Sequence, residues 1–580
     1  MEVSPSLGLV SSLTLLPLVI FLVHVYCTVV LRSERIKRKL RMQGIQGPPP
    51  SFLYGNLPEM QKIQLKTLKA SGFQAADFIA HDYTSSVFPY FEQWRKEYGM
   101  EISPLLSSYS KDSCKAGDGE AQAGLGQVQN LVFQNLAHFL IDLGWFIYGC
   151  HDNGGRFNLH VLNGIEAAPV CESAGAGEGD EPDGFSGFRQ TFLLNQENVT
   201  LARKWNCEVE WPFLGSAEEN SCTRVLHGQG QGMVGLMVES AQPLLKKWED
   251  CIEAQGGIVA DVKVDEDLRE LSADVISRAC FGSSYSKGKQ IFSKLRSLQQ
   301  TFSGQNILFG VPNFGFLPAK KHNKISNLER EVESLIWEAV KERQQECRET
   351  SSSEKDLMLL LLEGAVNDQS LGKDASKSFV VDNCKTIYFA GHESTAVAAS
   401  WCLMLLALHP EWQDGIRKEQ AEVFKDGQLS VDSLNHLKTV TMVIQEALRL
   451  YPPAAFVSRE ALEETQLGNI AVSKGLCLWT LIPTLHRDPA VWGSDANEFK
   501  PERFTWGVSK ACKFPQAYIP FGVGPRLCLG KNFAMVELKV VLSLIVSKFS
   551  FSLSPKYHHS PTYRMIVEPG EGVQILIQKI

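Results

Sequence analysis

The segment Phe521-Gly522-Val523-Gly524-Pro525-Arg526-Leu527-Cys528-Leu529-Gly530 is a glycine-rich loop that ends in a cysteine and runs straight into an apolar helix beginning near Asn532. Its parts suit a thiolate ligand on the iron of a haem. Such a ligand needs backbone close to a flat macrocycle, glycines that tolerate positive φ and close approach, and amide N–H groups aimed at the sulfur. Gly522, Gly524 and Gly530 can supply the first two, and the loop amides the third. The partial positive charge of a helix N-terminus favours the thiolate of Cys528, and Arg526 can hold a haem propionate by charge-assisted hydrogen bonds. A single cysteine in such a loop is more often structural, so the weight rests on its companions.

Glu446-Ala447-Leu448-Arg449 puts an acid and a base at i and i+3 on one helical face. Alone, this is usually a surface ion pair. Downstream, Phe499-Lys500-Pro501-Glu502-Arg503-Phe504 places another arginine in a proline-initiated turn between that helix and the cysteine loop. A Glu446–Arg449–Arg503 network would lock the turn beneath a haem, fixing geometry more than adding net stability. Ala390-Gly391-His392-Glu393-Ser394-Thr395 lies inside a long apolar helix expected over Phe379 to Leu408. A glycine there costs helix stability, which suits a flat ligand approaching the backbone at Ala390 and Gly391. A packing notch for a neighbouring helix explains it equally well. Glu393, Ser394 and Thr395 supply a carboxylate and hydroxyls that could hydrogen-bond dioxygen and relay protons to it.

The elements that must position these residues are mostly helical. Apolar residues recur at three-and-four spacing over Met233 to Cys251, Leu328 to Glu349, Phe379 to Leu408, Val440 to Tyr451 and Asn532 to Ser547. Strand signals are clearest in Leu476 to Leu481 and Gly572 to Ile577, so the fold class is mainly α with small β-sheets. The net charge of −8 gives no global basicity for nucleic acid. Fourteen scattered cysteines without a C-x-x-C pair resemble neither a disulfide framework nor a zinc site.

Leu7 to Leu31 runs 25 residues without Asp, Glu, Lys or Arg. As a helix it would span roughly 37 Å, enough to cross a bilayer core of about 30 Å. Residues 1–31 are therefore expected to be a tail and transmembrane anchor. Arg32, Arg35, Lys37, Arg38, Lys39 and Arg41 follow at once and hold the downstream chain in the cytosol by the positive-inside bias. Residues 32–50, ending in Gly47-Pro48-Pro49-Pro50, read as a basic, proline-rich linker, and 51–580 as the catalytic domain. Within it, residues 100 to about 230 are anomalous. Ala116 to Gly126 and Ala174 to Gly187 are rich in Gly, Ala, Ser and acids, and only Leu131 to Ile147 reads as a periodic element.

In the order Ala-Gly-His-Glu-Ser-Thr, Glu-x-x-Arg, Pro-Glu-Arg-Phe and Phe-Gly-x-Gly-x-Arg-x-Cys-x-Gly, these motifs resemble the signature set of the cytochrome P450 family, over Gly47 to Gly99 and Met233 to Ile580. The resemblance implies the P450 fold, haem b, and electrons from NADPH through a membrane-bound NADPH–cytochrome P450 reductase at the endoplasmic reticulum membrane. It implies a small apolar substrate that is hydroxylated or epoxidised with O2. By the same likeness Cys528 is the axial ligand, Phe521 packs on the thiolate side, and Arg459 sits where a propionate-binding arginine is often found. Glu393 and Ser394 become the proton-delivery pair, with serine where the family usually has threonine. The proline run, His81-Asp82-Tyr83 to Tyr98-Gly99 and Ala455-Phe456-Val457 resemble plant members that oxidise gibberellins and related terpenoid hormones. One departure stands out. Between Gly99 and Met233 lie 133 residues without the family's Trp-x-x-x-Arg, because Trp145, Trp205 and Trp211 are followed four residues on by Gly149, Val209 and Gly215. Two alternatives stay open: a haem-thiolate isomerase or dehydratase, and an inactive, poorly haem-loaded product in which 100–230 replaces the family's own segment through an altered gene model.

Overall fold

All five stretches of helical periodicity form helices in the computed structural model, which describes residues 31–49, 56–70, 81–98, 147–151, 157–161, 188–189, 231–282, 285–303, 319–350, 357–367, 373–424, 429–467 and 470–580. The longer helices are α1 (Arg32–Met42), α2 (Leu57–Ala70), α3 (Pro89–Tyr98), α4 (Gln231–Ala254), α5 (Val264–Phe281), α6 (Tyr285–Ser303), α7 (Ala319–Thr350), α8 (Leu357–Asn367), α9 (Lys373–Leu408), α10 (Pro410–Val423), α11 (Lys438–Leu450) and α12 (Lys531–Lys548). From Trp401 to Leu406 every residue of α9 is buried. A helix apolar on all sides belongs in the middle of a core, and α9 touches α5, α7, α8, α11 and α12. Its contact with α5 is the most extensive between described helices.

Small antiparallel sheets close the edges. Strand β12 (Gln574–Lys579) pairs with both β4 (Val259–Lys263) and β9 (Phe549–Leu553). Strand β5 (Phe456–Ala461) pairs with β8 (Cys477–Leu481) and with β3 (Phe188–Arg189). Two-strand ribbons form from β6 (Thr465–Leu467) and β7 (Ile470–Val472), from β10 (Pro561–Arg564) and β11 (Ile566–Pro569), and from β1 (Ile147–His151) and β2 (Phe157–Val161).

The structure departs from the sequence reading at the basic run. Residues 32–42 are a docked helix, not an extended tether. Ile36 and Leu40, one turn apart, bury against Ala461, Leu467, Val472, Leu476 and Leu478. Lys39 Nζ lies 3.3 Å from Glu464, and Gln43 both donates to and accepts from the backbone of Ala471. The anchor expected at Leu7 to Leu31 lies, but for its last residue, outside the described residues, among which no helix is long and apolar enough to cross a membrane. Most of 100–230 lies outside them too, as does Leu131 to Ile147 apart from Ile147 itself.

Candidate functional site

The acid and base of α11 are fully buried. Arg449 uses all five of its N–H donors: two on Glu446 at 2.7 Å, and one each on the carbonyls of His486, Ala496 and Glu498 at 2.9, 2.6 and 3.0 Å. Glu446 also accepts from the Lys500 amide at 2.8 Å and from Arg503 Nε at 3.4 Å. The second arginine is tied further to Asp495, whose carboxyl Lys500 and Arg503 hold down to about 2. A buried ion pair is stable only when its remaining donors and lone pairs are satisfied, and here they are.

From this knot a histidine reaches the cysteine loop. His486 accepts from the Ile519 amide through Nε2 at 2.9 Å, which leaves Nδ1–H to donate to the Arg449 carbonyl at 3.2 Å. Burial, then Arg449, pushes this imidazole down to about 3, so it stays neutral and keeps both roles. The carbonyl of Phe521, two residues after Ile519, accepts from the Cys528 amide at 2.9 Å and closes the loop. Gly522 and Gly524 have φ of +76° and +77°, a conformation that a side chain would strain. Gly530 differs from its expected role: its φ is −84° and it is the N-cap of α12. Cys528 is solvent-exposed, yet surrounding protein raises its thiol while the Gly530 amide and Lys531 pull it down. Its sulfur is therefore accessible yet partly desolvated.

On α9, helical geometry separates residues expected to act together. Consecutive residues point about 100° apart, and Glu393 and Ser394 diverge accordingly. Ala390 and Ser394 keep accessible surface, with Ser394 Oγ donating to the Ala390 carbonyl at 2.6 Å. Glu393 is 1% exposed and turns to the opposite side, where it accepts from Arg269 Nε at 3.1 Å and Arg296 Nη1 at 3.2 Å, with His392 Nε2 at 3.4 Å. Burial would raise its carboxyl, but His392, Arg269 and Arg296 outweigh that and hold it at about 2. As placed, Glu393 is an ionised acceptor and not the partner of Ser394. Thr395 is buried as well. Gly391 is also corrected: a Cβ there would lie 2.6 Å from Cδ1 of Ile276 on α5, so the missing side chain makes room for a helix and not for a flat ligand.

The family model for cytochrome P450 matches residues 218–577, which contain the triad, the cysteine loop and α9. The chain belongs to the cytochrome P450 family. It is 46% identical to Cytochrome P450 714A2 of Arabidopsis thaliana over 96% of this chain and 95% of that one. Cytochrome P450 714C2 of Oryza sativa is 40% identical, covering 98% of each chain, and Cytochrome P450 714B3 of Zea mays 39% identical, covering 96% and 93%. The plant branch suggested by the motifs is matched by these plant relatives.

The P450 haem finds suitable partners in this chain. Next to the exposed sulfur, a Cβ on Gly530 would meet nothing within 4 Å, so the backbone there is open to a flat group. Among the described residues Arg459 donates only to carbonyls, of Ser458 at 2.8 Å and Val523 at 3.4 Å. Burial, then the nearby Arg526, lowers it to about 10, so an anion such as a haem propionate beside Arg459 would be favoured. His486, Asp495, Arg269, Arg296 and Glu568 were not singled out from sequence. His486-Arg487-Asp488, between β8 and the Pro-Glu-Arg-Phe turn, was the legible hint, a buried-element run interrupted by three polar residues.

Proposed function

We propose that this P450 monooxygenase hydroxylates or epoxidises an apolar terpenoid of gibberellin type, taking electrons from a membrane-bound NADPH–cytochrome P450 reductase at the endoplasmic reticulum. The anchor reading of Leu7 to Leu31 supports the location, and the sequence likeness to plant hormone-oxidising members supports the substrate class. The observation that carries the chemistry is the accessible Cys528 in a loop closed by its own amide on the Phe521 carbonyl and turned by the positive φ of Gly522 and Gly524. Bound haem supplies dioxygen activation. Cys528 donates the iron ligand and Phe521 backs the loop. Arg459 and Arg526 hold the propionates. Opposite, Ser394 offers the accessible hydroxyl for proton delivery, with Thr395 behind it. Glu393 charges the far face of α9 and leaves proton donation to the hydroxyl.

The reduced carbon-monoxide difference spectrum tests this. Wild type is expected to give the thiolate-type band and Cys528→Ala to lose it, because alanine offers the iron no electron donor. A thiolate band surviving in the variant would remove Cys528 from the role. A gibberellin-type diterpenoid acid is expected to shift the resting haem spectrum on binding, whereas the absence of any shift across such ligands would sink the substrate class. A second reading, a chain that loads haem poorly, is favoured by the family model matching only from residue 218 and by the missing Trp-x-x-x-Arg. Substoichiometric haem in wild type would select it.

A further inference from the structure

Towards its C-terminal end, α9 joins a stack of aromatic rings that the site described above does not use. Trp401 lies seven residues after Ser394, on the same face two turns and roughly 10 Å further along the helix, and is fully buried. Its indole faces Tyr451, at the end of α11, with centroids 4.3 Å apart and planes 16° from parallel. Tyr451, also fully buried, stacks in turn on Tyr83 at 5.3 Å and 14°. Trp401 Nε1 donates to the Val567 carbonyl at 3.0 Å, and the Arg487 guanidinium sits 4.1 Å over the Tyr83 ring, so both ends of the stack are held. The Tyr451 hydroxyl lies 2.7 Å from His81 Nδ1 and 3.2 Å from His559 Nε2, while His559 Nδ1 meets the Tyr557 hydroxyl at 2.8 Å.

Indole and phenol are among the side chains most easily oxidised by one electron, and rings in stacked contact exchange electrons readily. An oxidised phenol is a far stronger acid than the phenol itself, so the electron leaves easily only where a base can take the proton. A buried phenol O–H takes a partner, and among the described residues the two imidazoles are the acceptors within hydrogen-bond distance of it. If Tyr557 donates to His559 Nδ1, then His559 Nε2–H donates to Tyr451 and the phenol proton points at His81. In the other tautomer Tyr451 donates to His559, which donates on to Tyr557. Either way Tyr451 hydrogen-bonds to an imidazole nitrogen that can accept its proton. We propose that Trp401 and Tyr451 form an electron relay that protects the haem site, with Tyr451 as the radical site and His81 and His559 as its proton acceptors. When no substrate takes up the oxidising equivalents that oxygen or peroxide activation at the haem supplies, one electron passes from Tyr451 through Trp401 to that oxidised site. The Tyr451 O–H bond breaks, its proton forms an N–H bond on His81 or His559, and a neutral tyrosyl radical remains. Both imidazoles are only partly buried and can pass the charge towards solvent. One electron from a small reductant of the ascorbate or thiol class, with the proton returned, restores the phenol.

The relay rests on bound haem with Cys528 as its ligand, and the experiment separates the two. The full-length, haem-loaded protein is mixed with a peracid in the absence of substrate, freeze-quenched and examined by electron paramagnetic resonance, beside its carbon-monoxide band. Wild type is expected to show a tyrosyl radical, identified by the altered hyperfine pattern when ring-deuterated tyrosine is incorporated. Tyr451→Phe is expected to lose that signal, to keep the thiolate-type band, and to have its haem bleached by fewer equivalents of peracid. Trp401→Phe leaves Tyr451 in place, removes the oxidisable indole, and is expected to lose the tyrosyl signal too. The double variant His81→Gln/His559→Gln gives the phenol hydrogen-bond partners that are not bases, and there the unpaired electron is expected to stay on Trp401 as an indolyl radical. A merely structural role for the histidines would lower haem content without moving the radical from tyrosine to tryptophan. If Tyr451→Phe loads too little haem, Trp401→Phe and the glutamine variant decide alone. An undiminished tyrosyl signal in Tyr451→Phe or Trp401→Phe, or no aromatic radical in a wild type that shows the thiolate band, overturns the relay. A wild type without the thiolate band overturns the ligand assignment, and the relay with it.

Discussion

Gly391 shows how one residue type serves two different needs. Its spacing to Glu393 and Ser394 is legible in the sequence, and so is its cost inside a helix, but what fills the space is decided by α5, which approaches from a distant part of the chain. Gly391→Ala would bring a Cβ to 2.6 Å from Cδ1 and 2.7 Å from Cγ1 of Ile276. Overpacking of this kind costs about 1–3 kcal/mol, against a helix-propensity gain of about 1 kcal/mol. The variant is therefore expected to be less stable to denaturant, and Ile276→Val, which removes the Cδ1 methyl, should recover part of the loss. If Gly391→Ala is as stable as wild type while haem retention falls, the glycine faces the ligand after all. The same limit applied to Glu393. The motif gives the residue, but only the positions of Arg269 and Arg296 show that its carboxylate is occupied elsewhere. By contrast, Glu446, Arg449 and Arg503 come together as their spacing suggested, because an i, i+3 pair is local and the turn that brings Arg503 is short.

At the scale of elements, what was legible is what periodicity can show. Helices α4, α7 and α11 carry apolar stripes, and α9 and α12 long apolar runs. Helix α5 carries neither, since its buried positions include Asp265, Arg269, Ser272 and Ser277, indistinguishable in sequence from a solvated face; Asp265 accepts from the Val573 amide and Arg269 donates to Glu393 and Glu568, whereas Ser277 Oγ meets no partner among the described residues. Helix α1 fails for the opposite reason: its basic residues hide a narrow stripe made by Ile36 and Leu40 alone. That stripe makes α1 part of the catalytic body. Leu40→Asp, at a position 2% exposed, would place an unpaired charge against Leu467, Val472 and Leu476 and is expected to release the helix. Hydrogen exchange should then rise at the amides of residues 32–42 and at the β6–β7 ribbon, with exchange in α9 unchanged. Protection retained at residues 32–42 would show that the contacts of Lys39 and Gln43 suffice to dock α1.

At the scale of the whole molecule, buried titratable groups set how stability follows pH. Burial first, then nearby charges, holds His81 and His486 near 3, and burial holds His559 near 4, each against an ordinary value of 6.5. As pH falls below about 6.5 the unfolded chain takes up three protons that the folded chain refuses, so folding loses stability. Glu537 acts in the other sense. Its carboxyl, raised from 4.5 to about 8, keeps a proton in the fold that the unfolded chain releases above 4.5, and stability falls as pH rises towards 8. Asp265, also raised by burial, contributes in that sense just above 3.8. Between about pH 4.5 and 6.5 three histidines oppose one glutamate, a net gain of two protons on unfolding and a slope of about 3 kcal/mol per pH unit with stability rising. Glu393 and Asp495, both held near 2, extend the acid loss below pH 4. Equilibrium unfolding of the holoprotein should therefore show a stability maximum close to pH 6.5 and a shallower decline from there to pH 8. Glu537→Gln is expected to abolish the alkaline decline and to steepen the acid limb from two protons to three. An unchanged alkaline limb in that variant would mean that Glu537 is ionised in the native state and that the histidines alone shape the profile.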